Sequence, residues 1–168
     1  YVDLLVKTGC MDNAKKIWWD VRAHPFFDTV EVRVCDMTTR VDDTVAITAL
    51  IQALMGKLYL LYRRNLGYRE YARELIEENK WRAVRYGLDG QLIDFGKQEQ
   101  VPIRALIGEL LEFCSETAEI FGSQNELDRI RHILVEGTSA DRQLAVFART
   151  NSYQAVVDDL IEQSSLGL

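Results

Sequence analysis

The chain has 168 residues, of which 48% are hydrophobic and 27% charged, enough to form and cover one core of ordinary size. Its formal net charge of −6 at pH 7, without any cluster of lysine and arginine, argues against nucleic acid as a partner. The cysteines, Cys10, Cys35 and Cys114, lie far apart without a CxxC pair, so we expect neither a disulfide framework nor a zinc site, and a cytoplasmic location.

The N-terminal segment, Tyr1–Gly9, has the pattern of the last turns of a helix closed by glycine. It has no basic region followed by an apolar stretch and a cleavage site, so we expect no secretion signal and a chain that begins inside a larger structure. Two segments rich in β-branched and aromatic residues follow, at Ile17–Ala23 and Thr29–Cys35. The short turn between them predicts an antiparallel hairpin.

A long helix is predicted from Asp42 or Asp43 to Arg64. It is apolar nearly all round, which predicts that it is covered on several sides and packs behind the sheet of the hairpin. Polar side chains interrupt the apolar run at Thr48, Gln52 and Lys57. We therefore expect a buried helix of a soluble protein and no membrane partner.

The rest of the chain is predicted to be mainly helical. A polar helix is expected over 69–86, a small hairpin around a Phe-Gly-Lys turn over 91–101, and a helix starting at Pro102. Shorter helices are expected over 125–135, 139–148 and 153–164. The fold class is therefore α+β: antiparallel strands packed with helices over 1–101, followed by a helical layer over 102–168.

The first hairpin gathers charged residues on one side. Alternate side chains of a strand share a face, so one face of the second strand carries valines, at Val30, Val32 and Val34, and is assigned to the core. The opposite face of the second strand lies on the same side of the sheet as the charged face of the first strand if the register of the hairpin aligns them. The charged residues so placed are Asp20, Arg22, Glu31 and Arg33.

Two interpretations of this charged face stay open. It can be a solvated sheet surface held by cross-strand ion pairs, as antiparallel sheets often have. Alternatively, its carboxylates hold a divalent metal while its arginines hold phosphate, since Mg²⁺ prefers oxygen ligands and guanidinium fits phosphate oxygens. Trp18, expected on the same face, favours a partly enclosed cleft over open surface.

Two longer blocks carry a resemblance to a known family. Residues 18–36 (WWDVRAHPFFDTVEVRVCD) closely resemble the signature of the carboxylate–amine ligases of glutamate–cysteine ligase type 2. Residues 79–90 (NKWRAVRYGLDG) resemble a later motif of that family, at a fitting distance. The Glu-Val-Arg-x-x-Asp core at 31–36 is also similar to a strand of glutamine synthetase, whose catalytic fold the family is understood to share.

The resemblance implies roles for individual residues. Glu31 matches a glutamate that binds catalytic Mg²⁺ or Mn²⁺, and Arg33 matches an arginine that contacts the nucleotide phosphates. The implied reaction uses ATP to convert a carboxylate to an acyl phosphate, which an amine then attacks. Small-molecule substrates, glutamate with cysteine or another amine, and a homodimer are also implied.

The other positions in the two blocks are less specific. Arg22 could bind a substrate carboxylate that Asp20 orients, or the two could pair as scaffold. His24 could approach substrate or serve structure alone. Three residues of the second block could line the nucleotide cleft or a solvated helix face, and these are Asn79, Arg82 and Arg85.

The chain also departs from the family. Ala23 stands where a proline is usual, and the family's acidic N-terminal strand motif does not precede Tyr1. We therefore expect the C-terminal half of a single glutamine synthetase-like catalytic domain, lacking part of the active site. A non-catalytic helical interaction module derived from that fold is the alternative.

Overall fold

The computed structural model describes residues 1–166 and groups them into two compact units, which divide between Met37 and Thr38. Helices and two-stranded antiparallel sheets form these units, in agreement with the predicted α+β class. The sequence did not predict a division at this point.

The first unit contains one short helix and one short hairpin. Helix α1 spans Val2–Lys7, and strands β1 and β2 span Val21–Ala23 and Val30–Val32. Between α1 and β1, the Asn13 side chain accepts a hydrogen bond from the Lys15 amide and caps the start of a 3₁₀ turn, Ala14–Lys16. The hairpin is confirmed, but its strands are shorter than predicted.

The strands end early because their pairing becomes irregular. The Asp20 carbonyl accepts hydrogen bonds from both the Arg33 amide, at 2.7 Å, and the Val34 amide, at 3.1 Å. Two residues of one strand thus oppose one residue of the other, as in a β-bulge. Regular pairing, with strict alternation of faces, therefore stops at Val32.

Two expectations about the burial of this hairpin are wrong. Val30 and Val34 are 48% and 50% exposed, so the valine face forms no core in the described residues. Trp18 is 80% exposed, which contradicts the expected enclosed cleft. The physical reason is size, because a two-stranded ribbon in so small a unit has no second layer to pack against.

The second unit contains the remaining helices and a second hairpin. Its helices are α2 (Val41–Arg63), α3 (Arg73–Tyr86), α4 (Ile103–Phe121), α5 (Gln124–Glu136), α6 (Ser139–Thr150) and α7 (Tyr153–Ser164), and its strands are β3 (Gln91–Asp94) and β4 (Glu99–Pro102). The predicted Phe-Gly-Lys hairpin is confirmed. Helix α6 starts with a reciprocal capping box between Thr138 and Asp141.

The core lies where α2 packs against α4 and α5. Small residues of α2, Ala46, Ala49 and Ala53, meet Leu111 and Cys114 of α4. Close approach is also required at Gly56, where a Cβ atom would lie 2.7 Å from Phe121 Cε2. Alanine and glycine on α2 therefore allow the helix axes to come together.

Among the described residues of the second unit, helix α2 is covered on one side only, so the predicted cover on its other sides is not present in them. Its other face exposes large apolar side chains, among them Met55 and Tyr59. Among the described helices, α2 has the length and apolar composition of a membrane span, as the core helices of soluble proteins also can. The expectation of no membrane partner stays a prediction.

A buried carboxylate ties three helices of this unit together. Asp43, 3% exposed at the start of α2, accepts hydrogen bonds from Arg129 of α5 at 2.9 Å and Arg142 of α6 at 3.2 Å. Arg129 also pairs with Glu136, which Arg40 contacts at 3.1 Å. Burial acts to raise the pKa of Glu136, but the two arginines outweigh it and hold that pKa below its ordinary value.

Candidate active site

Arg22 and Glu31 lie directly opposite each other in the register of β1 and β2. Directly opposed residues of an antiparallel pair point to the same face, so the register required by the sequence prediction is present. Arg22 Nε donates a hydrogen bond of 2.6 Å to Glu31 Oε2. The cross-strand ion pair, one of the two open interpretations, is therefore part of this site.

The guanidinium of Arg22 is also bound to the backbone. Its Nη1 atom donates to the carbonyl oxygens of Ala14, Lys15 and Ile17, at 3.3, 2.7 and 2.9 Å. The Arg22 side chain is only 9% exposed. Arg22 thus holds the 3₁₀ turn and the Glu31 carboxylate in fixed positions, and the sequence offered no signal for the carbonyl contacts.

Arg33 approaches the same carboxylate from the other side. Its Nη1 atom donates to Glu31 Oε1 over 2.9 Å, and its guanidinium carbon lies 5.6 Å from the centre of the Trp18 ring. The Arg33 side chain is 37% exposed. Because an arginine has five N–H donors and one is used on Glu31, this guanidinium can still bind an anion.

Glu31 is therefore held between two guanidinium groups. The hydrogen bond from Arg22 is the main cause that keeps the pKa of the Glu31 carboxyl below its ordinary value; desolvation opposes it and Arg33 adds to it. Glu31 is ionised at neutral pH. The three side chains together carry one net positive charge, which favours an anionic ligand such as phosphate.

The residues of this cluster supply only part of the ligand set that a divalent metal needs. Among residues 1–166, no group of three histidine, cysteine, aspartate or glutamate side chains is placed to hold a metal. Each Glu31 oxygen accepts one arginine N–H, which leaves a lone pair on each for another partner. Glu31 can supply one ligand to Mg²⁺, whose other ligands are commonly phosphate and water.

His24 lies in the turn after β1, beside a groove of about 450 Å³ that Asp3, Trp19 and Arg22 also line. Its Nδ1 atom accepts the amide hydrogens of Phe26 and Phe27, both at 3.2 Å, and its ring stacks on Phe27 at 4.7 Å. His24 therefore shapes the turn. The contact of His24 with substrate stays a prediction. The contact of Asp20 with substrate also stays a prediction, and the Asp20 backbone carbonyl accepts the two hydrogen bonds of the bulge.

The nucleotide residues predicted in the second block lie in the second unit, on α3. Asn79 makes two hydrogen bonds to one residue of β3: its Nδ2 donates to the Ile93 carbonyl at 2.9 Å, and its Oδ1 accepts the Ile93 amide at 2.8 Å. The side chain thus pairs with the strand as another strand would. Asn79 attaches α3 to β3, a structural role that the sequence did not indicate.

Arg82 and Arg85 are held differently. Arg82 donates to Glu78 over 2.9 Å, one helical turn away, and Glu78 lines an acidic groove with Glu74 and Glu77. Arg85 is exposed and its guanidinium carbon lies 5.8 Å from the Tyr86 ring centre. These contacts fit a solvated helix face. Nucleotide binding by Asn79, Arg82 and Arg85 stays a prediction.

The assignment to a family comes from comparison with known proteins. The profile of glutamate–cysteine ligase family 2 matches residues 1–159. The chain belongs to this family. The resemblance inferred from residues 18–36 and 79–90 is therefore confirmed over nearly all of the chain.

Relatives with similar sequences come from several bacteria. Proteins of Sorangium cellulosum (strain So ce56), Solibacter usitatus (strain Ellin6076) and Chloroflexus aurantiacus (strain ATCC 29366 / DSM 635 / J-10-fl) are 84%, 55% and 52% identical over all 168 residues. Each is named "Putative glutamate--cysteine ligase 2". The chain covers 45%, 44% and 43% of their respective lengths, less than half of each family member.

Proposed function

We propose that the complete protein is an ATP-dependent carboxylate–amine ligase with a glutamine synthetase-like catalytic domain. Membership of glutamate–cysteine ligase family 2 supports a ligase, and the names of the relatives make glutamate and cysteine the first substrates to test. The observation that carries the proposal is the Arg22–Glu31–Arg33 cluster, which lies inside the family signature and presents a partly exposed guanidinium.

The proposed reaction has two steps. A carboxylate oxygen of the first substrate attacks the γ-phosphorus of ATP, the bond to the bridging oxygen breaks, and ADP leaves. The amine nitrogen of the second substrate then attacks the acyl carbon, phosphate leaves, and the amine gives up a proton. Negative charge on the transferred phosphoryl group makes a fixed cation the most useful protein group in the first step.

Arg33 is the proposed phosphate-binding residue. Its guanidinium is partly exposed, is steered by one hydrogen bond to Glu31, and keeps further N–H donors in a fork that fits two phosphate oxygens. No protein nucleophile is needed, since positioning and charge neutralisation account for catalysis of phosphoryl transfer. Arg33 would thus stabilise charge as it develops.

Glu31 is the proposed protein ligand to Mg²⁺ or Mn²⁺ in this half of the site. The ion, when bound, would screen the charges of the phosphate oxygens. Glu31 is suited to this role because it is ionised and because Arg22 fixes the orientation of its carboxylate. The proposed role of Arg22 is therefore positioning, in place of direct binding to a substrate carboxylate.

The test is an ADP-release screen of the complete protein with ATP, Mg²⁺ and pairs of amino acids, beginning with glutamate and cysteine. We expect ADP release that requires both substrates and the metal, and that Glu31→Gln abolishes it. Arg33→Lys should lower ADP release sharply, and Arg69→Lys is the matched control for that substitution, because the Arg69 guanidinium also lies over an aromatic ring, that of Tyr71 at 5.8 Å, and Arg69 is not assigned to the site.

Folded protein that releases no ADP with any pair would contradict the ligase proposal. It would favour the non-catalytic helical interaction module instead. Unchanged ADP release in Glu31→Gln would contradict the metal-ligand assignment alone.

A further inference from the structure

Helix α2 has two apolar faces, and the other described helices of the second unit cover one of them. The inner face carries Ala46, Ala49 and Ala53 and packs against α4 and α5. The opposite face, here called the outer face, carries the five large apolar side chains Val41, Val45, Met55, Tyr59 and Tyr62, which are 39%, 47%, 42%, 57% and 77% exposed. Thr48 and Gln52 complete it.

The spacing shows that these residues form one continuous stripe. The seven positions follow each other at steps of four and three residues, which places them on a single side of an α-helix. None of the seven is charged. A helix face in contact with water usually carries charged residues, whereas a contiguous apolar stripe of this length marks an interface.

The relatives indicate what covers the outer face. The chain matches 43–45% of the length of the Sorangium, Solibacter and Chloroflexus relatives, so more than half of each relative lies outside the matched segment. Each of these relatives carries that remainder in the same molecule as the segment that matches α2. The lengths of the relatives therefore favour this remainder of the family's chain as the occupant of the outer face.

We propose that the outer face of α2 is the surface on which the rest of the family's chain packs, through an apolar face of its own. The proposal rests on family membership and exposed side chains, not on the ligase chemistry. Helix α2 would then be the central helix of the complete domain, with α4 and α5 on one side and the remainder on the other.

A membrane is a less suitable occupant. The inner face of α2 is bound to helices rich in charged residues, and Lys57 donates to Glu116 of α4 over 2.7 Å in the middle of the apolar run. A helix attached in this way cannot be surrounded by lipid without moving that ion pair into hydrocarbon, which is costly. The same contacts cost nothing if a protein layer covers the outer face.

The test compares one substitution in two contexts. A full-length chimera is made in which residues 1–168 replace the aligned segment of the Sorangium cellulosum relative, and the 168-residue chain is made alone. Met55→Glu and Tyr59→Glu are introduced into both. Val135→Glu is the matched control, because Val135 is an apolar helical residue that is 87% exposed on α5.

We expect Met55→Glu and Tyr59→Glu to lower the Tm of the chimera by at least about 3 °C, and that of the isolated chain by less than about 1 °C. Val135→Glu should change neither. Amides of α2 should also exchange hydrogen more slowly in the chimera. An equal Tm shift in both contexts would overturn the proposal.

Two other occupants give distinct results. A dimer of the chimera that Met55→Glu dissociates, seen by sedimentation velocity, would assign the outer face to a second copy and overturn the proposal. Binding of the chimera to phosphatidylcholine vesicles that Met55→Glu abolishes would assign it to a membrane, with the same consequence. Both outcomes are independent of ADP release, so this proposal and the proposed function can fail separately.

Discussion

Arg22 and Glu31 face each other across the first hairpin, and the 2.6 Å hydrogen bond between Arg22 Nε and Glu31 Oε2 joins the two three-residue strands at their centre. The same arginine reaches three backbone carbonyls of the preceding turn, from Ala14 to Ile17. One cation, whose side chain is 9% exposed, therefore connects the β1–β2 pairing with the segment before it. Glu31 takes its position from that connection.

Arg22→Leu should destabilise the first unit and misplace Glu31. Loss of hydrogen bonds from a charged donor to backbone carbonyls costs about 1.5–3 kcal/mol. In the complete protein we expect kcat to fall more than the KM for the substrates rises, because Arg22 is proposed to position Glu31 and not to bind substrate. Steady-state kinetics with thermal unfolding would measure both.

Arg22→Lys separates the two effects. Lysine keeps the charge but lacks the fork that serves Glu31 and the carbonyls together. Partial recovery of stability without recovery of kcat would support positioning. A large rise in the KM for one substrate, at unchanged kcat, would instead show that Arg22 binds that substrate.

Arg33→Lys should reduce kcat of the complete protein by about a hundredfold, the usual cost of removing one preorganised donor to a developing anion. Stability should hardly change, since the Arg33 side chain is 37% exposed. Coupled ADP-release kinetics and a melting curve would test this. Activity equal to that of the Arg69→Lys control would contradict phosphate binding by Arg33.

Acid should weaken the first hairpin through Glu31. Its pKa in the folded chain is below its ordinary value, so its contribution to stability is complete above the ordinary pKa and is lost as pH falls through the folded pKa. The Arg22 Nε–H resonance in ¹H–¹⁵N NMR spectra reports this titration directly. We expect a midpoint below that of an ordinary glutamate, and no such titration in Glu31→Gln. A midpoint at the ordinary value would contradict the arrangement.

Asp43→Ala should strongly destabilise the second unit. The substitution leaves Arg129 and Arg142, whose side chains are 21% and 15% exposed, without their buried partner. Removing one member of a buried ion pair costs about 3–5 kcal/mol. Chemical denaturation would measure the change. Asp42→Ala, next in sequence but exposed, is the control and should change stability by less than about 0.5 kcal/mol.

Asn79→Ala should release α3 from β3. Each lost hydrogen bond to Ile93 contributes about 1 kcal/mol, so a loss of about 1–3 kcal/mol is expected, with faster hydrogen exchange at the Ile93 amide. Asn125→Ala, at an exposed asparagine of α5, should have little effect. An unchanged Ile93 exchange rate would contradict the structural role of Asn79.

Local patterns in the sequence predicted much of this protein. The bounds of α7, the Phe-Gly-Lys hairpin and the start of α4 next to Pro102 follow from periodicity, turn residues and fixed proline geometry, which act over a few neighbouring residues. The paired placement of Arg22 and Glu31 follows from strand alternation once the turn length sets the register. The family followed from the order of two long motifs.

Tertiary structure decided what those residues touch. Asn79 and Ile93 are fourteen positions apart, and Arg22 uses carbonyl oxygens, which every residue has, so neither contact leaves a signature in the sequence. Local patterns also did not predict which apolar side chains are buried. Val30, Val34 and the outer face of α2 are apolar enough for a core, yet these side chains are exposed. An apolar pattern indicates that one side of a helix or strand is suited to burial, but only the packing of distant segments determines whether another segment covers it.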